Sequence, residues 1–323
     1  MDLNLPILHL LHDKQSILIA GAGGSFDIFA GLPLYFALRE MGKTVHLANY
    51  SFSRLDIMSH YCKVISLVPD LMVGATGGVS SDFNAGYYPE GYLSRWFLET
   101  RQENIPIWMF AKIGPQSLRI LYERLADALA IDALILIDGG VDSLMIGNEE
   151  GAGTLLEDTI SLTATRTLDI PVKILACVGF GAELEVCHHN ALANMASLIK
   201  EGAFYGACAL TSQMRVYQDY LAACRYVWEQ PAHHKSQINM RIVSATEGEF
   251  GNHHLYSDYR PAEVFVTPLM SLYWFFDANQ VVARSLLASE IESTSTIEEA
   301  YAVTVALRER LVAQARVCKP IPY

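Results

Sequence analysis

The sequence lacks an apolar run of membrane-spanning length that is free of a charge or a breaker, so no bilayer-spanning helix is expected. It also lacks any Cys-x-x-Cys pair. The cysteines, Cys62, Cys177, Cys187, Cys208, Cys224 and Cys318, are scattered. That spacing suits neither a zinc finger nor a disulfide framework, and reduced, buried thiols are expected. Basic residues are scarce: 23 Lys and Arg stand against 35 Asp and Glu, a net charge of −12. The balance speaks against a nucleic-acid backbone or an anionic membrane as partner, and leaves room for one small anion in a local site. Neither GxxxxGK[ST] nor GxSxG occurs, so a P-loop and a nucleophile elbow are not expected. Residues 1–14 show no basic n-region and no small-residue cleavage site, so a cytoplasmic location is expected.

What is present is apolar material. The chain of 323 residues is 51% hydrophobic and 18% charged, enough for a large core. Apolar runs at 16–20, 44–48, 63–68, 107–111, 133–137, 171–178, 238–243 and 263–267 read as strands. Helical periodicity falls between most of them, as at Leu118, Leu121, Leu125 and Leu129. Pro89 and Glu90 suit a helix start, and Thr296 suits an N-cap. Residues 72–88, rich in glycine and serine, read as a loop. The pattern predicts an α/β fold: a doubly wound, mostly parallel, Rossmann-like sheet with helices on both faces. One domain over 1–323 is expected, with 187–235 a helical excursion. The apolar segment Tyr273-Trp274-Phe275-Phe276 suggests a surplus that a homo-oligomer would bury.

Chemistry gathers at the ends of the expected strands. The first strand runs into Gly21-Ala22-Gly23-Gly24-Ser25-Phe26-Asp27. Such glycines let backbone approach an anion at a helix start. The dinucleotide fingerprint is incomplete, however. Phe26 replaces its third glycine and Asn49, not an acid, closes the second strand, so no standard NAD site is expected. The strand at 133–137 runs into Asp138-Gly139-Gly140, followed by Asp142, Glu149, Glu150, Glu157 and Asp158. The strand at 171–178 ends in Gly179-Phe180-Gly181-Ala182-Glu183. The run at 238–243 leads to Glu247, Glu249, Asn252, His253 and His254. In a parallel sheet all four ends share one edge, which predicts a single lined pocket. Glu157 and Asp158 have a separate explanation as acids at a helix start.

With these strand ends, the chain resembles a family of uncharacterised prokaryotic proteins, domain of unknown function 1152. The resemblance rests on the stretch from Gly21 to Asp27 and on Tyr88-Pro89-Glu90-Gly91-Tyr92-Leu93. It rests further on Asp138-Gly139-Gly140-Val141-Asp142-Ser143-Leu144 with Gly147 and Glu149, on Asp158, and on the stretch from Gly179 to Glu183. It covers most of the chain, to about Gly251. It implies an α/β fold and brings no activity.

Two functional readings follow. In the first, the protein is a metal-assisted hydrolase or transferase acting on a nucleotide- or nucleoside-like molecule. Asp138 and Asp142 would hold Mg²⁺ or Ca²⁺ with help from Glu149 or Glu249, because clustered carboxylates suit hard cations. His253, His254 or Glu183 would move the proton. Gly21, Gly23, Gly24 and Ser25 would meet a phosphate or ribose. Asp27, Glu90, Gly139, Gly140, Gly179, Gly181 and Asn252 would complete the ligand wall. In the second reading the same pocket binds a nucleotide or other polar metabolite without turning it over. A Cys187–His188 nucleophile pair is disfavoured, since neighbours on one helix point apart.

Overall fold

The computed structural model describes residues 6–79, 86–150, 155–230, 235–256 and 263–315. The elements run α1 (Pro6–Leu11), β1 (Ser16–Gly21), α2 (Asp27–Ala30), α3 (Leu32–Glu40), β2 (Thr44–Tyr50), α4 (Leu55–Tyr61), β3 (Cys62–Val68) and β4 (Met72–Val79). There follow α5 (Pro89–Arg101), β5 (Ile107–Phe110), α6 (Pro115–Leu129), β6 (Ala133–Asp138), α7 (Leu155–Thr165), β7 (Val172–Cys177) and α8 (His188–Lys200). The chain continues through β8 (Phe204–Ala209), α9 (Arg215–Trp228), α10 (Gln237–Thr246), β9 (Leu272–Asp277), α11 (Ala278–Arg284), α12 (Ala288–Ile291) and α13 (Ile297–Arg308).

The architecture is α/β, built on a nine-stranded sheet in the order β3-β4-β5-β2-β1-β6-β7-β9-β8. The five middle strands, β5-β2-β1-β6-β7, are parallel. Their apolar runs are continuous because both faces are covered. Alternate residues of β1 serve two cores: Ile17 and Ile19 pack with α3, α5, α9 and α10, while Leu18 and Ala20 pack with α6, α7 and α8. The register sets Gly21 of β1 beside Asn49 of β2 and Ile137 of β6, and Asp138 beside Cys177 of β7. The carboxyl ends of the parallel strands therefore share one edge.

The outer strands correct the expectation of a mostly parallel sheet. β4 runs antiparallel to β5, β3 to β4, β9 to β7 and β8 to β9. Residues 72–79, expected as loop, form β4. Its small residues answer to packing: a Cβ on Gly74 would lie 3.2 Å from the Trp108 ring, and one on Gly77 would lie 2.9 Å from the Arg95 backbone. The rest of that stretch, 80–85, lies outside the described residues. The stretch 187–235 is not purely helical, because β8 lies within it.

The run at 238–243, expected as a strand, is the middle of α10. Ser236 caps that helix by accepting from Asn239 N. A short apolar run buried all round reads alike as strand or helix. At 263–267 only the bridge between Gly251 and Val266 forms. The first long helix breaks at Gly31 into α2 and α3, with Pro33 in the first turn of α3. Thr296 caps α13 as expected and forms a full capping box with Glu299, but that helix ends at Arg308. Tyr273, Phe275 and Phe276 are buried within this chain, on β9, and Trp274 is half-buried.

Candidate functional site

The site is assembled where β1, β6 and β7 end. After β1, Ala22 N extends the ladder by donating to the Ile137 carbonyl. The chain then turns through Gly24 at φ +88 and Ser25 at φ +53, and Asp27 N closes the turn on the Gly24 carbonyl. That turn aims Asp27 back at the strand ends, where its carboxylate accepts from Gly23 N at 2.7 Å and Gly139 N at 3.3 Å. Asp138 closes β6 and accepts from Ser143 N at 3.2 Å and from the Ser143 hydroxyl. Asp142 opens a short 3-10 turn, Asp142–Leu144. After β7, the turn through Gly179 and Gly181 presents Glu183, which accepts from Val141 N at 2.9 Å.

The fifth acid is Asp158, in the first turn of α7. The two adjacent acids of that helix separate. Glu157 reaches outward to Lys112 at 3.2 Å, and Asp158 turns inward. The Ser161 hydroxyl on the same helix donates to the Ala22 carbonyl and fixes α7 against the first glycine turn. Asp138, Asp142 and Asp158 are 3%, 2% and 2% exposed. Each offers an oxygen within 4.8 Å of the others. Asp158 Oδ1 has no hydrogen-bond partner among the described residues. A Cβ on Gly23 would sit 2.5 Å from Asp158 Oδ2 and 2.9 Å from Asp27 Oδ2, which explains a glycine there. Gly140 has the same need, since a Cβ would overlap the Glu183 carboxylate.

Burial and mutual repulsion set the protonation of this group. Burial pushes Asp138 up to about 6, against the opposing hydrogen bonds from Ser143. Asp158 is held well above the usual carboxylate range by burial and then by Asp142 and Asp138. Asp27 and Glu183 are raised the same way, by burial first and by Asp138 and Asp142 next. Such a group binds protons or a cation. Its oxygen-only donor set suits a hard ion.

Asp27 and Glu183 are half-buried and face a cavity of about 450 Å³ that also takes in Ser25, Tyr87, Lys235 and Arg241. The Ser25 hydroxyl and the Tyr87 hydroxyl are 2.7 Å apart. Beneath this loop Glu90 is fully buried. It accepts from Asn49 Nδ2 at 2.8 Å and from the Ser53 hydroxyl at 3.0 Å, and burial raises its pKa. Asn49 Nδ2 also donates to the Ser25 carbonyl at 2.9 Å, so Glu90 supports the glycine turn from behind.

Other acids and histidines from the sequence lie elsewhere. Glu149 is buried but saturated: it accepts from Ile146 N, Gly147 N and Asn194 Nδ2 at 2.8, 2.8 and 2.9 Å. It braces its own loop and stands outside the Asp138–Asp142–Asp158 group. The 246–254 segment follows a helix, so it is not a fourth strand end. There Glu249 lies 3.2 Å from His253 in a loop, and Asn252 accepts from Val264 N at 3.3 Å. His253 and His254 line a separate small recess beside α10. Sequence reasoning passed over Asp158 as a helix-start acid, although Asp158 was among the residues of the family resemblance. It had no signal for Lys235 or Arg241, because the apolar run around Arg241 looked like a strand.

No curated protein and no solved structure matches the chain. One family model does, over residues 102–310. It takes in Asp138, Asp142, Asp158 and Glu183, extends past Gly251, and begins after the first glycine turn and the Tyr88 motif. By that match the chain belongs to the family described as Protein of unknown function (DUF1152).

Proposed function

We propose that this protein binds a hard divalent cation, Mg²⁺ or Ca²⁺, through Asp138, Asp142 and Asp158, and uses it in hydrolysis or group transfer on a nucleotide- or nucleoside-like molecule. The observation that carries this reading is Asp158 Oδ1, a buried carboxylate oxygen with no hydrogen-bond partner among the described residues, set among two further buried acids and within electrostatic reach of Asp27 and Glu183, which line the cavity. An unpaired buried charge is costly unless something neutralises it. The five parallel strands, taken alone, read as a doubly wound, Rossmann-like unit. The order β2-β1-β6 makes the β1–β6 gap its switch point, the place where such sheets bind ligands.

A cation there would neutralise charge developing on the reacting group. Glu183 and Asp27 stand at the rim with pKa values raised well above the usual carboxylate range, suited to hold a proton. Ser143 orients Asp138 through two hydrogen bonds. The half-burial of the rim acids and the depth of the three floor acids would keep bulk water from the reacting atoms.

A second reading, binding without turnover, is favoured by one feature. Asp27 and Glu183 are already fixed by backbone amides, which makes them ready acceptors for ribose hydroxyls or amines. Calorimetry with Mg²⁺ and Ca²⁺ on wild type, Asp138→Asn and Asp158→Asn tests the cation. Saturable heats in wild type that vanish in both variants are expected, and no heat in wild type removes the mechanism. Incubation with a nucleotide panel, followed by chromatography, separates turnover from binding alone.

A further inference from the structure

The charge of the substrate can be read from where the amide donors of the cavity point. In a phosphate-binding glycine turn the backbone N–H groups face the ligand. Here three of the turn amides are engaged by the chain's own carboxylates. Gly23 N and Gly139 N donate to Asp27, and Val141 N donates to Glu183. A phosphate arriving at those turns would meet two carboxylates.

The α10 side of the same cavity has the opposite character. Lys235 and Arg241 are the basic residues of its lining. The Lys235 ammonium is seated 3.9 Å from the centroid of the Tyr256 ring. Arg241 is buried and donates to the Ala182 carbonyl and to Gln237 Oε1. Both cations are thus positioned by the fold, and less side-chain entropy is lost when an anion binds. They are the two positive charges in a lining that also holds Asp27, Glu183 and Glu185, within a chain of net charge −12.

We propose that the cavity takes a phosphorylated small molecule, with its phosphate at Lys235 and Arg241 and its hydroxyl or cation-bearing end at the carboxylates. This rests on the reading of the acid cluster as a cation site, and it assigns the substrate class. A phosphate ester carrying its own divalent cation matches both ends of the cavity: the cation goes to the acidic end, lined by Asp27 and Glu183 with Asp138, Asp142 and the unpartnered Asp158 oxygen next to them, and the anion to the basic side. A neutral nucleoside matches only one end. The glycine turns hold the acids in place, and the phosphate lies elsewhere.

The test is calorimetry on the full chain with Mg²⁺, inorganic pyrophosphate, AMP and adenosine as probes, the last three with Mg²⁺ and again in EDTA. Pyrophosphate is expected to bind, and AMP to bind at least about tenfold tighter than adenosine. Lys235→Ala is expected to cut that preference to below about threefold, and Lys235→Arg to keep it. Lys235 is the better probe because Arg241 also braces the 179–183 turn. Equal affinity for AMP and adenosine overturns the proposal, as does the absence of heat from pyrophosphate and AMP in both buffers. A Lys235→Ala variant with the full AMP preference overturns it too. Loss of the Mg²⁺ heat alone, with the AMP preference and its Lys235 dependence intact in EDTA, removes the cation reading and upholds this one.

Discussion

Replacing Asp158 by Asn should make the metal-free protein more stable, although it deletes a buried charge from the site. The sign follows from linkage. Asp138 is pushed from 3.8 up to about 6 by burial, so the folded chain holds that proton more tightly than the unfolded chain does. Below pH 4 both states are protonated and nothing is lost. As pH rises from 4 to 6 the unfolded chain releases its proton first, and the folded state loses stability. Above pH 6 the loss is complete, about 3 kcal/mol for Asp138 alone at ~1.4 kcal/mol per pKa unit. Asp158, Asp27 and Glu183 shift the same way, so their cost adds in the same direction. Each ionised pair at this spacing repels by on the order of 3 kcal/mol at an effective dielectric of ~20. With an unfolding entropy of ~2.1 cal/mol/K per residue, 3 kcal/mol moves the melting temperature of a chain this size by about 4 °C. Differential scanning calorimetry in EDTA between pH 5 and 8 is the assay. Wild type should melt progressively lower as pH rises, and Asp158→Asn should melt higher than wild type at pH 7.5 with a flatter profile. Mg²⁺ should raise and flatten the wild-type profile and leave the variant nearly unmoved. A variant that melts lower than wild type in EDTA at pH 7.5 would refute the argument, because the acid would then be stabilising without a cation.

Glu149→Gln separates a bracing acid from a ligand-facing one. It replaces one of two carboxylate oxygens that accept from Ile146 N, Gly147 N and Asn194, so thermal melts should show a loss of about 2–3 kcal/mol while the Mg²⁺ heat is retained. Gly140→Ala drives a Cβ into the Glu183 carboxylate and separates it from Val141 N. Calorimetry should show weaker ligand binding at the rim, with Mg²⁺ affinity at the floor altered by less than about threefold, and melts should fall by the equivalent of about 1–3 kcal/mol.

The middle of the fold was legible because its strands are buried on both faces. Residues of β1, β6 and β7 form unbroken apolar runs bounded by glycine, and that pattern has few other meanings. The edges were not legible. β4 is made of small residues because it lies under the Arg95 backbone and against the Trp108 ring, and composition alone makes such a segment look like a loop. β8 lies between two helices and is likewise rich in small residues. α10 was mistaken for a strand because its apolar run is short and its cap is a single serine, Ser236. That error made the 246–254 segment, with Glu249 and His253, a strand end when it follows a helix.

The acids show where sequence reading stops. Asp138 and Asp142 are marked by Gly139 and Gly140 between them, although the carboxylates these glycines make room for are those of Asp27 and Glu183. Asp158 carries no such local mark. Its glycine is Gly23, which is distant in sequence and whose Cβ position lies 2.5 Å from an Asp158 oxygen. Glu149 sits in a glycine-rich loop and looks like a ligand, yet both its oxygens already accept, from two amides of its own turn and from Asn194 of α8. Partner count decides between these two acids, and partner count is a tertiary quantity. A carboxylate that folding has fully satisfied has nothing left for a ligand. One that folding buries with an oxygen unsatisfied retains a demand that protons, or a cation entering from the cavity, can meet.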